Sequence, residues 1–573
     1  MKNLDISDIF NKMADLLEIK GENPFRIRAY RKAAFNIESL GKDVALLSKE
    51  ELMKIPGIGG DLAGKIEEYV GTGRIESYEQ LKGEVPESLV TLLSVPGLGP
   101  KTVSLLYSRY RVKDIEELEK LAREHKLLGL PGIREKTETN ILKGIDMIRR
   151  SSSRYPIGKV LPIVKDILGY LSGRAPVERL DVAGSIRRWK ETIGDIDILS
   201  TSGDPEAVMK AFTHIPDIKE VLMKGPTKSS VVLKEGLQVD IRVVDEDSYG
   251  AALAYFTGSK AHNIRLREIA VKAGLKLNEY GIFRERDNRK IGGRTEEEIY
   301  EILGLQFVPP ELREDTGEVE AAAVRSLPAL VELGDIKGDL HVHSNWSDGN
   351  IPLEDLAGIP LAKGYEYIAV TDHSKGLGVA RGLNEERVVE QKKKIDSMNK
   401  KLRGFRLLSG IEINIKSDGS LDFDEEILKD FDIVVASVHS GFKQPGEQIT
   451  KRILAAMKNP YVSIIAHPSG RLIGERDAYE VDMEEVLDGA SKTGTALEIN
   501  AYPLRLDLTE PYIRLAKAKD VPLAISTDSH NSGQFDNMVF GVSLARRGWL
   551  GKKNVLNTCG LKALLARLKN KRK

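Results

Sequence analysis

The chain is poor in features that would join its segments covalently or direct it to a membrane. It has 573 residues and a single cysteine, Cys559, so no disulfide bond can form within the chain. This cysteine usage is typical of a reducing compartment, and we expect a cytoplasmic protein without a membrane partner. No apolar run approaches the roughly 18 residues that a membrane span requires. The first residues, MKNLDISDIFNKMADLLE, lack the apolar core of a signal peptide.

The sequence also lacks an excess of charge of either sign. Its 86 Lys and Arg residues balance 86 Asp and Glu residues, so the formal net charge is zero. A strongly basic average, which many nucleic-acid-binding proteins have, is therefore excluded, and any phosphate contact must come from local groups. The length exceeds what one hydrophobic core supports, and we expect three or more domains.

The first 150 residues contain a near-repeat between short helical segments. IPGIG at residues 55–59 and VPGLG at residues 95–99 lie 40 residues apart, and a degenerate copy, LPGI, follows at residues 130–133. Loops of this kind present backbone N–H groups that bind a phosphate without reading a base. The repeat therefore indicates sequence-independent contact with a phosphate backbone. An ordinary connector between helices is the alternative.

Residues 180–245 alternate apolar and polar side chains as β-strands do, and VVLKEGLQVDIRV indicates a hairpin with a two-residue turn. Asp195 and Asp197 are two residues apart, so on a strand both point to the same face. Asp240 lies in an apolar frame and offers a third carboxylate from a neighbouring strand. Three converging carboxylates hold two divalent cations about 4 Å apart, which activate an attacking hydroxyl and stabilise a leaving phosphate.

A tight turn precedes these carboxylates. Gly184 and Ser185 offer a backbone amide and a hydroxyl that bind phosphate, and Arg188 neutralises developing charge. A lone D-x-D pair would be an ordinary solvated pair. The turn ten residues upstream and the third aspartate favour nucleotidyl transfer instead.

The last 240 residues contain short apolar runs separated by helical patterns. Seven such runs recur, and nearly all of them end in His, Asp or Glu. Strands alternating with helices predict a parallel sheet, and a β/α barrel carries its catalytic residues at the carboxyl ends of its strands. Imidazole and carboxylate ligands together suit Zn²⁺, Mn²⁺ or Fe²⁺. The candidate ligands, too many for one ion, are His341, His343, Asp348, His373, Glu412, His439, His467, Asp528 and His530.

The carboxylate region resembles the family X DNA polymerases, of the DNA polymerase beta kind, over roughly residues 1–310. The resemblance implies that Asp195 and Asp197 bind two Mg²⁺ or Mn²⁺ ions and that Asp240 is the ligand and base facing the primer 3′ hydroxyl. YFTGS at residues 255–259 matches the family's segment beside the nucleotide sugar. The implied nucleotide-binding residues are Gly184, Ser185, Arg188, Tyr255, Phe256, Gly258, Asn263 and Arg267.

The N-terminal segments resemble that family's helix-hairpin-helix motifs and its small domain that binds DNA 5′ ends. NPF at residues 23–25 and AYRKAA at residues 29–34 carry the second likeness. Lys65 falls where some members have a Schiff-base lysine that removes a 5′ deoxyribose phosphate, although Asp61 stands where a basic residue is expected. The candidate DNA-binding residues are Gly57, Gly59, Gly97, Gly99 and Tyr30.

The histidine-rich region resembles the PHP (polymerase and histidinol phosphatase) domain, a seven-stranded β/α barrel with up to three Mn²⁺ or Zn²⁺ ions. The nine ligand types of that family occur in order. By this resemblance one ion is held by His341, His343, Glu412 and Asp528. A second ion is held by Glu412, His439 and His467, and a third by Asp348, His373 and His530.

We therefore predict a multidomain protein of α+β and α/β class. It has N-terminal helical helix-hairpin-helix domains, a nucleotidyltransferase palm with a mixed β-sheet, a thumb and a C-terminal (β/α)7 PHP barrel. The predicted boundaries are 1–85 for the 5′-end-binding domain, 86–150 for a second, fingers-like helix-hairpin-helix domain, 151–245 for the palm, 246–310 for the thumb, 311–335 for a linker and 336–573 for the barrel.

The predicted function is gap-filling DNA synthesis in base excision repair, combined with a metal-dependent 3′–5′ exonuclease or related phosphoesterase, including abasic-site cleavage. The predicted partners are gapped or nicked DNA, primer-template and dNTPs, and we expect a monomer. Two alternatives remain open. In one the barrel is a small-molecule phosphatase, and in the other the chain is a non-catalytic DNA-end-binding module.

Overall fold

The structure is a computed structural model that describes residues 2–38, 44–55, 57–93, 95, 98–131, 133–135, 137–139, 141–142, 144–145 and 154–572. Among these residues, none of the helices combines the length and the apolar character needed to cross a bilayer. The chain forms two compact units. The first comprises residues 1–154, 168–183 and 194–305, and the second comprises residues 155–167, 184–193 and 306–573.

The amino-terminal part of the first unit is helical. Its helices surround one hydrophobic core, in which Phe10 packs edge-on against Tyr30 with 5.5 Å between the ring centroids. The first helix ends at Gly21, whose φ of +83° suits a residue without a side chain. The helices are Asn3–Lys20, Pro24–Glu38, Lys49–Leu52, Gly60–Thr72, Glu76–Glu84, Leu89–Leu92, Pro100–Tyr110 and Ile115–Arg123, with a 3₁₀ turn at Val44–Leu46.

A five-stranded sheet in the order β2-β4-β7-β6-β5 follows in the same unit. β4 and β7 are parallel and the other pairs are antiparallel, so the predicted mixed sheet is confirmed. The predicted hairpin joins β6 and β7. Its turn has three residues, not the predicted two, because the Leu233 N–H bonds to the Leu237 carbonyl and Gly236 adopts a φ of +90°. The strands are β2 (Arg179–Val182), β4 (Asp195–Thr201), β5 (Ile218–Lys224), β6 (Lys228–Leu233) and β7 (Gln238–Val243).

Helices and a small antiparallel sheet complete the first unit. Tyr249, Ala252 and Leu253 pack against Leu199 of the mixed sheet. Within this region His262 is buried, and its Nε2 lies 2.8 Å from the Tyr300 hydroxyl. The elements are Pro205–Phe212, Tyr249–Thr257, Lys260–Lys272, β8 (Leu275–Asn278), β9 (Gly281–Arg284), β10 (Lys290–Gly292) and Glu296–Ile302.

The second unit contains seven parallel strands in sequence order, β11 to β17. The first and last strands approach each other, with a bridge between Val342 and Ser529 and a 2.8 Å bond from the His343 N–H to the Ser529 carbonyl. Nearly every strand residue is buried, as expected for strands covered on both faces, and the predicted (β/α)7 barrel is confirmed. The strands are β11 (Gly338–Val342), β12 (Tyr367–Val370), β13 (Arg406–Asn414), β14 (Ile433–Ser437), β15 (Val462–Ile465), β16 (Ala496–Asn500) and β17 (Leu523–Ser526).

Helices alternate with these strands. Gly446–Lys458 and Met483–Thr493 pack against each other, and Met538–Arg547 packs against β17. The α-helices of the barrel are Gly358–Ala362, Glu385–Asn399, Glu425–Leu428, Gly446–Lys458, Met483–Thr493, Glu510–Ala518, Met538–Arg547 and Leu561–Lys571.

The second unit also includes segments that precede the barrel in sequence. Residues 311–335, predicted as a linker, contain the helix Glu318–Ala323, and both Arg313 and Glu318 are fully buried. Glu318 accepts bonds from the Asp315 and Thr316 N–H groups at 2.8 and 2.7 Å, so its charge is satisfied locally. The helix Gly184–Arg187 belongs to this unit, as does the two-stranded pair of β1 (Tyr155–Pro156) and β3 (Thr192–Ile193); the helix Ile157–Arg174 contributes to both units.

Candidate active sites

Three carboxylates share one face of the mixed sheet. Asp197 on β4 lies directly opposite Asp240 on β7, and Asp195 is two residues before Asp197 on the same strand. The parallel pairing of β4 and β7 thus brings together two carboxylates that are 43 positions apart in sequence. Gln238 Nε2 donates to both carboxylate oxygens of Asp240 at 3.2 Å, and the Ser230 hydroxyl donates to Oδ1.

The electrostatics of this face call for a cation. Burial, with the neighbouring Asp195 and Asp240, raises the pKa of Asp197 to about 7. Burial and Asp240 also raise the pKa of Asp195. Carboxylates that repel one another in a desolvated place bind a divalent ion readily, because the ion removes the repulsion. The donor set, all oxygen, suits Mg²⁺ or Mn²⁺.

The predicted phosphate-binding turn lies in the second unit. Gly184 has a φ of +62°, and Ser185 Oγ is buried without a hydrogen-bond partner among the described residues. A buried hydroxyl of this kind is available to an oxygen ligand such as phosphate. Arg188 Nε donates to Glu314 Oε1 at 3.1 Å, so this guanidinium is held by a carboxylate.

The segment with the sequence YFTGS ends one helix and begins the next. Tyr255 is 39% exposed, its ring meets Phe256 edge-on, and Gly258 adopts a φ of +70°. Asn263 Nδ2 donates to the Tyr255 carbonyl at 2.6 Å, and Arg267 Nε donates to the Asn263 carbonyl at 3.4 Å. The predicted nucleotide-binding residues of this segment are therefore joined by hydrogen bonds into one local group.

The glycine-rich loops of the N-terminal region present helix N-termini. Gly59 precedes the helix Gly60–Thr72, Gly99 precedes Pro100–Tyr110, and both have open space beside their Cα atoms. Gly57 adopts a φ of +88°, which disfavours a residue with a side chain, and a Cβ atom there would lie 2.9 Å from Lys32 Cγ. Gly97 lies outside the described residues.

Two of the predicted residues in this region are placed unfavourably for their roles. Tyr30 is 1% exposed and packs on Phe10, so it supports the core and the prediction that it contacts DNA is corrected. Lys65 forms an ion pair with Asp61 in a cleft of about 410 Å³ that Glu68 and Glu76 also line. An acidic cleft repels a 5′ phosphate, which weakens the lyase hypothesis.

The barrel gathers the nine predicted ligands at the carboxyl ends of its strands. Three groups have ligand atoms within 4.8 Å of one another. His467 lies outside these groups, but its Nε2 is 3.2 Å from Glu412 Oε1. The groups are His343, Asp348, His373 and His530; then His341, His343 and Asp528; and then His373, Glu412 and His439.

The barrel cluster fits metal ions by its unpaired buried atoms. His341 Nε2, both ring nitrogens of His343, His373 Nδ1 and Glu412 Oε2 are buried without hydrogen bonds within the described chain. His373 Nδ1 lies only 2.8 Å from Glu412 Oε2 without the alignment of a hydrogen bond. Such spacing is typical of two ligands on one ion, and imidazole with carboxylate suits Zn²⁺ or Mn²⁺.

The charges within the cluster leave Glu412 and His343 in the forms that bind metal. Burial opposes ionisation of Glu412, but His373, His439 and His341 hold its pKa well below the usual range. Burial and the neighbouring His373 and His530 lower the pKa of His343 to about 3. At neutral pH the carboxylate is thus ionised and the His343 imidazole is neutral, which are the forms that coordinate metal.

Side chains behind the ligands orient them, and sequence reasoning missed these. His341 Nδ1 lies 2.8 Å from Glu498 Oε1 on β16, and Glu498 Oε2 accepts from the His467 N–H at 2.7 Å. Asn414 Oδ1 lies 2.6 Å from His439 Nδ1. The signal for Glu498 was its place in the strand-like run TALEIN, one of the seven runs, where it was the only acidic residue.

Sequence models of four known domain families match parts of the chain. They are a helix-hairpin-helix domain over residues 1–75, a SAM-like helix-hairpin-helix tandem over residues 89–146, the DNA polymerase beta thumb over residues 252–314 and the PHP domain over residues 339–501. The chain is 42% identical over 571 residues to the DNA polymerase/3′-5′ exonuclease PolX of Bacillus subtilis (strain 168), an alignment that covers 99% of this chain and 100% of that protein. The chain belongs to the PolX family.

Two further relatives match parts of this PolX-family chain. DNA polymerase lambda of Arabidopsis thaliana is 26% identical over 348 residues, which is 54% of this chain and 62% of that protein. A probable phosphatase of Thermoanaerobacter sp. (strain X514) is 33% identical over 235 residues, which is 38% of this chain and 89% of that protein. The predicted relationship to family X polymerases with a PHP domain is thereby confirmed.

Proposed function

We propose that the chain is a DNA-directed DNA polymerase that fills short gaps, joined to a metal-dependent 3′–5′ exonuclease. The observation that carries this proposal is the full-length match to a protein named for both activities, together with two separate metal-binding arrangements in the structure. Fusion to one chain gives each site a high effective concentration of the other's DNA end. Gapped or nicked DNA and dNTPs are the proposed substrates, and the proposed state is a monomer.

In the polymerase site, the chain's own residues hold the reacting groups. Asp195 and Asp197 would hold two Mg²⁺ or Mn²⁺ ions, which would supply charge neutralisation for phosphoryl transfer. Asp240 faces the primer 3′ hydroxyl and takes its proton. Gly184, Ser185 and Arg188 hold the triphosphate, and Tyr255, Phe256, Gly258, Asn263 and Arg267 line the nucleotide and template side.

Contact with DNA away from the chemistry depends on backbone amides. The helix N-termini after Gly59 and Gly99 bind phosphate without reading sequence, which suits an enzyme that acts on any gap. We place Gly57 and Gly97 among the residues that contact this phosphate. A net charge of zero is compatible with this mode because the contacts are local.

In the barrel, the three ligand groups would hold up to three Mn²⁺ or Zn²⁺ ions, which would supply Lewis acidity for attack on the phosphorus. Glu412 lies close to His373, His439 and His467 and would share ions with them. His341, His343 and Asp528 complete one end of the cluster, and Asp348 and His530 complete the other. The proposed substrate is the terminal phosphodiester of a DNA 3′ end or an abasic site.

A second function for the barrel, small-molecule phosphatase activity, is favoured by one observation. A stretch of 235 residues of the chain matches 89% of the length of a protein named as a probable phosphatase. We propose exonuclease first because the full-length relative carries that name.

The test uses the whole protein with Mn²⁺ on three substrates. They are a duplex with a one-nucleotide gap, a 3′-recessed duplex without dNTPs, and a small phosphomonoester. We expect extension of the first, shortening of the second and slow turnover of the third. If all three stay intact, the proposed function is wrong; rapid turnover of only the phosphomonoester would favour the second function.

A further inference from the structure

Residues 188–191 follow the turn with Gly184 and Ser185. Side chains from the C-terminal part of the same compact unit contact them. Arg547, 2% exposed in its side chain, donates through Nη1 to the Arg188 carbonyl at 2.6 Å. Glu314 accepts from Arg188 Nε at 3.1 Å. Both the main chain and the side chain of Arg188 are therefore held.

The Glu314 carboxylate is shared among three cations. Arg188, Arg547 and Lys190 lie 3.1, 3.2 and 3.6 Å from the same oxygen, Oε1. Burial opposes ionisation of Glu314, but the two arginines and the lysine hold its pKa below the ordinary value. A charged carboxylate between two nearly buried guanidinium groups restrains both, and Glu510 is a second carboxylate partner of Arg547.

Two more contacts hold residues 189 and 191 of the segment. Trp189 packs edge-on against Phe540 at 6.0 Å between ring centroids. Glu191 forms a two-pronged ion pair with Arg471, at 2.9 and 2.7 Å, and Arg471 Nε also donates to the Arg505 carbonyl at 2.8 Å. Planar pairs of this kind restrict orientation as well as distance.

We propose that Glu314 and Arg547 are positioning residues, which hold Arg188 for nucleotide binding by the polymerase. The second unit thus has a non-hydrolytic role in DNA synthesis. This inference rests on the proposed function, in which Arg188 contacts the triphosphate. Arginine has a flexible side chain with about 2 kcal/mol of rotamer entropy, and a partner on Nε restricts it before the nucleotide arrives. Such preorganisation strengthens binding without a new contact to the ligand.

The test is a Glu314→Gln substitution in the full-length protein, with incorporation on a one-nucleotide gap measured at varied dNTP concentration. We expect KM for the dNTP to rise about tenfold, because a charge-assisted bond that orients Arg188 is lost, and kcat to change less. Glu314→Asp, which keeps the charge, should recover part of the loss. Exonuclease activity and the thermal unfolding midpoint should stay near wild type and report on folding.

A matched control is Glu447→Gln. Glu447 also pairs with a cation in the same unit, Lys451, but it is 78% exposed and remote from residue 188 in sequence. It should leave KM unchanged. If Glu314→Gln lowers the unfolding midpoint, Arg547→Lys serves as the second variant, with the same expected rise in KM.

The outcomes distinguish the positioning role of Glu314 from the proposed polymerase function. Wild-type KM in a folded Glu314→Gln variant overturns the positioning role and leaves the polymerase assignment standing. Failure of the wild-type protein to incorporate any nucleotide overturns the proposed function. In that case binding of dTTP with Mg²⁺, measured by calorimetry, decides the positioning role, and equal affinity in wild type and Glu314→Gln overturns it.

Discussion

The two metal-binding arrangements of this chain differ in chemistry and in enclosure. The palm offers three carboxylates, Asp195, Asp197 and Asp240, on one face of the sheet, where Asp197 and Asp240 are half-buried. The barrel offers six histidines and three carboxylates, and His341 and His343 are fully buried. Oxygen-only ligands at an accessible face suit ions that enter with a nucleotide, whereas buried imidazoles suit ions that stay.

The two sites hold their ligands under different electrostatic conditions, although both suit ion-assisted chemistry. In the palm, burial and the repulsion from Asp195 and Asp240 raise the pKa of Asp197 to about 7, so the ion must displace a proton. In the barrel, the imidazoles hold the pKa of Glu412 and of Asp528 well below the ordinary values, although burial opposes this. The barrel carboxylates are therefore ionised before any ion arrives.

The largest expected effect is a loss of DNA synthesis without a loss of exonuclease activity. Asp240→Ala should reduce nucleotide incorporation on gapped DNA by a factor on the order of 10³ or more, because a metal ligand and the proposed base are removed. Shortening of a 3′-recessed duplex should continue at the wild-type rate. Asp217→Ala, in an exposed ion pair with Lys234 of the same unit, is the control. Unchanged incorporation in Asp240→Ala would refute the palm assignment.

The reciprocal loss is expected from His341→Ala. It should abolish shortening of the 3′ end and lower the metal content of the purified protein, measured by inductively coupled plasma mass spectrometry, because a fully buried ligand disappears. Incorporation should persist. His214→Ala, at an exposed position of the first unit, should change neither. Equal metal content in His341→Ala and wild type would contradict the barrel assignment.

The stability of the metal-free protein should depend on pH through Asp197. The folded pKa of Asp197 lies above its unfolded value, so its protonated form stabilises the metal-free fold, and this contribution is lost as pH rises from about 4 to about 7. The free energy of unfolding without Mg²⁺ should fall in that window by up to roughly 1.4 kcal/mol per pH unit. Asp197→Asn should flatten the curve, as followed by urea unfolding. A wild-type slope in Asp197→Asn would show that other groups dominate.

The smallest effect is expected behind the ligands. Glu498→Gln keeps the shape of the side chain but weakens the orientation of His341, and metal affinity in the barrel should drop about 10- to 100-fold. A chelator competition monitored by metal content would measure this. Glu366→Gln, on the same unit but at the opposite ends of the strands, should leave the affinity as it is. No difference between the two variants would remove Glu498 from the metal site.

Much of both sites was predictable because strand geometry converts spacing into position. Asp195 and Asp197 share a face by the period of two, and the barrel ligands follow consecutive strands whose ends must meet. Glu498 was not predicted as a partner of His341, because pairing across 157 positions depends on the barrel's closure. Tyr30 was assigned to DNA contact through the likeness of AYRKAA to the family's segment, and that likeness does not show which side chains face the core.

The acidic segment before the barrel shows a different limit. Its prolines and charges indicate a solvated linker, yet Arg313 and Glu318 are fully buried. Composition alone does not reveal that backbone N–H groups of residues 315 and 316 satisfy the Glu318 carboxylate. A buried charge with local partners has the same residue letters as an exposed one.

The sequential order of the seven barrel strands has a consequence for synthesis of the chain on the ribosome. The first ligands, on β11, leave the exit tunnel long before Asp528 and His530, which follow β17, the last strand. A nascent or prematurely terminated chain thus carries the palm carboxylates but an incomplete hydrolytic cluster. The DNA-shortening site is assembled only when the last strand arrives, so incomplete products do not acquire the nuclease that we propose.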